Sequence, residues 1–283
     1  MKYGIFALII FLVFTSCSSK PKNPGDVYEI RRRAESLLEQ GNKNADRGAL
    51  DTAIIFLDEA FRIAIAADDP GLRIRAGLSL SNVLFLMGQT NEAVSGWNNA
   101  LAEAQRIKNA ELIAISKIHG SRGRLLTQGR QVAQSVKDEV SNDLKQIKSD
   151  QQYIAFAWNV VALAEKELGR YGDAEKAIMR SLDIHLKERN LELVAYNWFL
   201  IGSFRSLAGD YTRARQALEN AINYDRRVEN SWGLANDWRA LGEVYTKSGD
   251  KEAANAAFTR SAEIFRALGN EEAETEILAR INN

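Results

Sequence analysis

The chain has 283 residues, 46% hydrophobic and 26% charged, enough apolar material for one continuous core. Its 37 Lys and Arg balance its 37 Asp and Glu, so no net field draws it to nucleic acid or to an acidic membrane surface. Of three prolines, two (Pro21, Pro24) precede the main body and one (Pro70) falls in a predicted turn, so the body is free to be helical almost throughout.

The first element is a targeting segment. Lys2 is followed by a nearly unbroken apolar run from Tyr3 to Phe14, and then by Thr15, Ser16 and Cys17. A basic residue, a short apolar run and small residues form a secretory signal, and the run is short for a membrane-crossing helix. Cys17 is the only cysteine of the chain. The stretch Phe14-Thr15-Ser16-Cys17 resembles a bacterial lipobox, with Phe where the usual pattern prefers Leu. The resemblance implies lipidation of Cys17 and membrane attachment through that lipid; a signal cut elsewhere, with Cys17 incidental, is the competing reading. Residues 1–17 then form the signal, and residues 18–26, with Ser18, Ser19, Pro21, Pro24 and Gly25, form a short tether. Ser18 is not the Asp associated with inner-membrane retention, which points to the outer membrane, facing the periplasm.

From residue 27 to residue 270 the chain repeats itself six times. Gly48, Gly88, Gly129, Gly169, Gly209 and Gly249 stand 40, 41, 40, 40 and 40 residues apart. Other columns keep phase: Ala53, Ala93, Ala174, Ala214 and Ala254; the small residues Ala60, Ala100, Ser141, Ser181, Ala221 and Ser261; and Asp69, Asn109, Asp150, Asn190, Asn230 and Asn270. A fixed period of this length means one supersecondary unit stacked into a solenoid. Around Gly249, the residues Trp238, Leu241, Gly242 and Tyr245 share one helical face, and Ser248-Gly249-Asp250 interrupts. Ala253, Ala254, Ala257, Phe258 and Ser261 then line a second helix. After Asn270, residues 271–283 make a capping helix with Leu278 and Ile281 at core phase.

The pattern Trp238-x2-Leu241-Gly242-x2-Tyr245, with Ala254 and Phe258, resembles the tetratricopeptide repeat signature. Trp198-x2-Ile201-Gly202 with Ala214, Leu218 and Ala221 repeats it, and Trp158-x2-Val161-Ala162 with Ala174 and Ile178 keeps part of it. The period exceeds the family's common 34 residues and is similar to the longer variant of kinesin light chains and some bacterial peptide-sensing regulators. The resemblance implies an all-α, right-handed superhelical solenoid whose function is protein or peptide binding. It places the Trp column in the interhelix core. It also places Phe85, Phe156, Asn159, Leu163, Tyr196, Phe199, Ser203, Arg239 and Glu243 on a concave groove, joined by Asn42 and Asn82. Leu38 stands where the family's clamp for C-terminal carboxylates has a Lys, so chaperone-tail binding is not expected.

The third unit departs most. Its first helix carries Gly120 and Gly123 in its interior, each costing about 1 kcal/mol relative to Ala. Lys117, His119, Arg122 and Arg124 stand beside them and offer donors to an anion or a partner chain; a drifted repeat with a solvated face is the favoured reading. Its second helix, Val132 to Ile147, has only a narrow apolar stripe. His119 and His185 lie in different repeats, and no cysteine pair, nucleophile elbow or phosphate-binding glycine loop is present. No cofactor, metal site or enzymatic activity is expected. The expectation is an envelope-anchored scaffold for other proteins, with an apolar small molecule or lipid in the groove as the alternative.

Overall fold

The structure, a computed structural model, describes residues 29–281. Those residues form thirteen α-helices: α1 (Glu29–Asp46), α2 (Leu50–Ala66), α3 (Pro70–Leu86), α4 (Thr90–Arg106), α5 (Ala110–Gln128), α6 (Arg130–Asp143), α7 (Gln151–Glu167), α8 (Tyr171–Lys187), α9 (Leu191–Leu207), α10 (Tyr211–Arg227), α11 (Ser231–Ser248), α12 (Lys251–Ala267) and α13 (Glu271–Ile281). They pair in order as six helix–turn–helix units, each odd helix with the even helix after it, and α13 closes the last unit as a cap. The signal, the tether and Cys17 lie outside the described residues.

Two of the repeating columns mark the turns. The glycine column takes positive φ throughout, from 54° at Gly129 to 85° at Gly249, the conformation in which glycine lacks the steric penalty of other residues. The Asp/Asn column caps the next helix. Asp69 accepts the Leu72 N–H at 2.9 Å, Asn109 that of Leu112 at 3.0 Å, and Asn230 that of Gly233 at 3.0 Å. Asp150, Asn190 and Asn270 do the same in their units. A cap of this kind stabilises a helix by about 1 kcal/mol. The period is thus written as one stop signal and one start signal per unit.

The small columns let the paired helices approach. Ala53, Ala93, Ala174, Ala214 and Ala254 are all buried. A Cβ at Gly242 would lie 2.6 Å from the Phe258 ring, and one at Gly202 would lie 2.7 Å from Leu218 Cγ, so these glycines make room for a large residue of the following helix. The Trp column packs partly buried against the core, with Trp158 and Trp198 on the central cluster and Trp238 on the next. Arginines cover the outer ring faces: Arg180 lies 4.8 Å from the Trp158 centroid and Arg260 lies 4.5 Å from that of Trp238.

The third unit differs in detail from the expectation. Its second helix stops at Asp143, a 3-10 turn spans Leu144–Gln146, and Ile147 tucks back into the core. Only Ala133, Val136 and Val140 of α6 are buried.

Candidate functional site

The superhelix closes on itself. Arg47, in the turn between α1 and α2, reaches the far end of the chain. Its Nη2 donates to Glu192 Oε1 at 2.6 Å and to the Val228 carbonyl at 3.0 Å, and its Nε donates to the same carboxylate at 3.1 Å. Lys43 Nζ adds a longer ion pair to Glu192 at 3.6 Å. Next to it, Gly48 lies against the Trp232 indole so closely that a Cβ would fall 2.5 Å from the ring. The first repeat therefore touches the fifth and sixth, and protein rings the concave side, which forms a lumen.

Several side chains meet along this inner side. The Arg75 guanidinium sits 5.9 Å from the Tyr153 ring and pairs with Asp150 at 3.4 Å. His119 stacks on Phe156 with centroids 4.4 Å apart and meets Tyr153 edge-on at 6.0 Å. Its Nδ1 contacts the Asn82 side-chain amide at 3.1 Å, and Asn82 Oδ1 accepts the Trp97 indole N–H at 3.2 Å. His119 Nε2 is buried without a partner. Burial, followed by repulsion from Arg122, pushes the His119 pKa down to about 3, so the ring is neutral at physiological pH.

Further along, Tyr196 stacks on Phe199 at 6.4 Å and is 42% exposed, the most accessible of the predicted groove aromatics. Arg122 and Asp46 both act on Tyr196 electrostatically, Arg122 lowering and Asp46 raising its pKa, while enclosure raises it more than either. The Asp46 carboxyl remains open to lumen solvent but is surrounded by protein; that enclosure, and then the Glu192 carboxylate, raise its pKa. An arginine and a carboxyl thus stand within electrostatic reach of one phenol on the inner side of the ring.

Other predicted groove residues serve packing as well. Phe85 leans on Trp97 at 5.7 Å and is partly buried in the core. Phe199 is half-buried and packs on two core clusters. Asn159 is half-buried with its Oδ1 enclosed and unpartnered, Leu163 is partly buried, and Arg239 is half-buried on α11. Glu243 is bound by Arg280 of the capping helix at 3.0 Å.

The basic residues of the third repeat do not form one patch. His119 and Arg122 take part in the inner-side contacts. Lys117 and Arg124 project from the other side of α5 into a cleft beside α6, where they pair with Asp143 at 3.7 Å and with Glu139. The reason is helical geometry: residues 117, 120, 121 and 124 share a face, and 119 and 122 share a different one.

One group lies beyond what the sequence reading singled out. Asp225 of α10 and Asp237 of α11 are both buried and interact electrostatically, and Asn230 donates to Asp225 at 3.0 Å. Burial raises both pKa values, and at Asp237 the neighbouring Asp225 raises it further, so the pair holds a proton. The signal was present in the sequence: Asp237 occupies a buried column filled elsewhere by Ala76, Ser116, Ala157 and Asn197. Among the described residues, no group of three or more His, Cys, Asp and Glu is placed to hold a metal ion, and no helix is long and apolar enough to cross a membrane.

These features define a helical-repeat solenoid with an enclosed inner surface. Residues 191–267, the fifth and sixth units, match the family model of the tetratricopeptide repeat, and the whole described chain has that fold. Comparison with curated proteins gives no match in sequence. Among solved structures, the chain is similar to BtubC from P. vanneervenii, at 18% identity and TM-score 0.57, over 85% of this chain and 92% of that one. It is also similar to a Rap protein complexed with competence and sporulation factor, at 16% identity and TM-score 0.60, over 89% and 74%. Aspartyl phosphate phosphatase F from Bacillus subtilis is similar at 14% identity and TM-score 0.55, over 91% and 72%. At such identities the likeness is one of fold. A tetratricopeptide fold is typically an interaction scaffold.

Proposed function

We propose that this chain is an interaction scaffold that takes a peptide segment of a partner protein into its lumen, and that a lipid on Cys17 holds it at the outer membrane facing the periplasm, where it serves assembly of an envelope complex. The observation that carries the binding part is the enclosed Asp46–Arg122–Tyr196 group beside Phe199. Aromatic surface supplies contact area, and the cation and the carboxyl on either side of it offer a donor and an acceptor to backbone groups or side chains of a peptide. A purely apolar molecule or lipid in the same space is disfavoured, because it would strip water from these polar groups and offer no partner in exchange. The similar Rap protein, solved in complex with competence and sporulation factor, is an instance of this fold holding a partner. The anchoring part rests on the lipobox-like Phe14-Thr15-Ser16-Cys17.

A photo-crosslinking amino acid at Tyr196, in cells carrying the full chain, tests the binding part. The expected result is a discrete crosslinked partner that is absent when the label sits at the exposed Arg62 of α2. Equal, diffuse labelling from both positions would refute lumen binding. For anchoring, Cys17→Ala protein should leave the membrane fraction and appear soluble in the periplasm; retention in the membrane would refute the lipid.

A further inference from the structure

The third repeat has a cleft where the last three units have core. Counting from each capping residue, the eighth position is Trp158, Trp198 and Trp238 in the last three units, and the eleventh is Val161, Ile201 and Leu241. In the third unit these positions are Lys117 and Gly120. An indole and a branched aliphatic side chain are thus replaced by a flexible cation and by no side chain at all. The result is a cleft of about 610 Å³ between α4 and α6, with α5 as its floor. That volume lies within the range of ligand pockets.

The two glycines of α5 have different causes. Gly123 is required by packing, since a Cβ there would lie 2.2 Å from the Trp97 ring. Gly120 is not: a Cβ there would meet nothing within 4 Å. Its helix cost, about 1 kcal/mol relative to Ala, is repaid by no contact within the chain. One turn away, Ser116 also lines the cleft; its hydroxyl is buried and has no hydrogen-bond partner. A buried hydroxyl left unpaired costs free energy until a partner arrives. The opposite wall is apolar, made by Trp97, Leu101 and the exposed Val94 of α4. At the rim, Lys117 and Arg124 are each neutralised by a carboxylate of α6, so the cleft favours no ion of either sign.

We propose that this outer cleft is a second binding site, separate from the lumen, for an aromatic side chain with a hydrogen-bonding edge, an indole or a phenol, carried by a partner peptide. The aromatic ring replaces the missing column over Gly120, and its N–H or O–H reaches Ser116 Oγ. The side amides of Asn98 and Asn142 at the mouth are placed for the backbone on which the ring is carried. Neither proposal depends on the other, because lumen and cleft lie on opposite sides of α5.

Fluorine NMR on the full chain tests this with two probes, N-acetyl-5-fluorotryptophanamide and free 5-fluoroindole. The tryptophanamide should show saturable broadening and shift. Gly120→Leu, which restores the aliphatic column, should raise the melting temperature and weaken that binding by about tenfold or more. Lys117→Trp, which restores the other column, should do the same and serves if Gly120→Leu folds poorly. Ser116→Ala should weaken the probe by about threefold to tenfold without lowering the melting temperature, as expected for loss of one hydrogen bond. Absence of binding by both probes overturns the site. Binding by 5-fluoroindole alone overturns the peptide as occupant. Undiminished binding to a folded, stabilised column-restoring variant overturns the location.

Discussion

Arg47→Ala tests whether the lumen depends on contact between the two ends of the chain. The substitution removes three donor contacts, two to Glu192 and one to the Val228 carbonyl. A hydrogen bond to a charged group contributes about 1.5–3 kcal/mol when well buried. Here the Arg47 side chain is 35% exposed and that of Glu192 18%, so solvent screening reduces the sum, and a total loss of about 2 kcal/mol is expected. The loss also has a sign with pH. Glu192 raises the pKa of both Asp46 and Asp225, and Arg47 lowers that of Asp225. Without the guanidinium these carboxylates keep their mutual repulsion and lose a neighbouring cation, with Lys43 left beside Glu192, so the deficit should be larger at pH 8 than at pH 5. Urea denaturation followed by circular dichroism measures the first effect, and small-angle scattering measures the second consequence, an increased radius of gyration as the solenoid opens. Arg47→Lys, which keeps the charge but not the fork, should recover part of both. An unchanged radius of gyration together with a stability loss below about 0.5 kcal/mol, the range of an ordinary surface substitution, would refute closure as the organiser of the lumen.

Tyr196→Ala should keep helical content and melting temperature while reducing partner capture, whereas Phe199→Ala, which packs on two core clusters, should cost about 1–3 kcal/mol of stability; the reverse pattern in paired melting and capture measurements would reassign the two rings. Gly242→Ala should overpack the last unit against Phe258 and cost about 1–3 kcal/mol by urea denaturation. For the Asp225–Asp237 pair, folded pKa values raised above the ordinary 3.8 mean that the native state holds a proton the unfolded chain releases. Their contribution is therefore complete below pH 3.8 and is lost as pH rises through the raised values. Asp237→Asn should flatten that decline and leave the protein more stable than the parent at pH 8; a parallel pH profile would show that the pair does not titrate within the fold.

The architecture was legible because its signals are local and repeated. A glycine that must take positive φ and an Asp or Asn that must cap a helix recur in every unit, and neither depends on distant residues. The Trp column was legible for the same reason, since its phase against the small columns fixes it between helices. The groove was only partly legible. Helical phase places Tyr196 and Phe199 on one face, but it does not say which ring stays accessible; that depends on the neighbouring repeats, which bury part of Phe199 and leave Tyr196 open. Lys117, His119, Arg122 and Arg124 read as one basic patch because they are close in sequence, and 3.6-residue periodicity divides them between two surfaces. The Arg47–Glu192 contact was not legible, because residues 145 apart meet only through the accumulated curvature of five units.

That contact changes how the solenoid should behave as a whole. A linear repeat array has stability set by each unit and its nearest neighbours, so damage at one end stays there. In this chain the first unit also rests on the fifth and sixth, through Arg47 on Glu192 and Val228 and through Gly48 on Trp232. Ends that support each other lose protection together. Hydrogen exchange in the parent protein should therefore show α1 and the start of α9 and α11 opening as one unit, and Arg47→Ala should separate them. The cleft and the lumen lie on opposite faces of α5, which presents Gly120 and Ser116 to one and His119 and Arg122 to the other, so a substitution at either pair tests one site without touching the other.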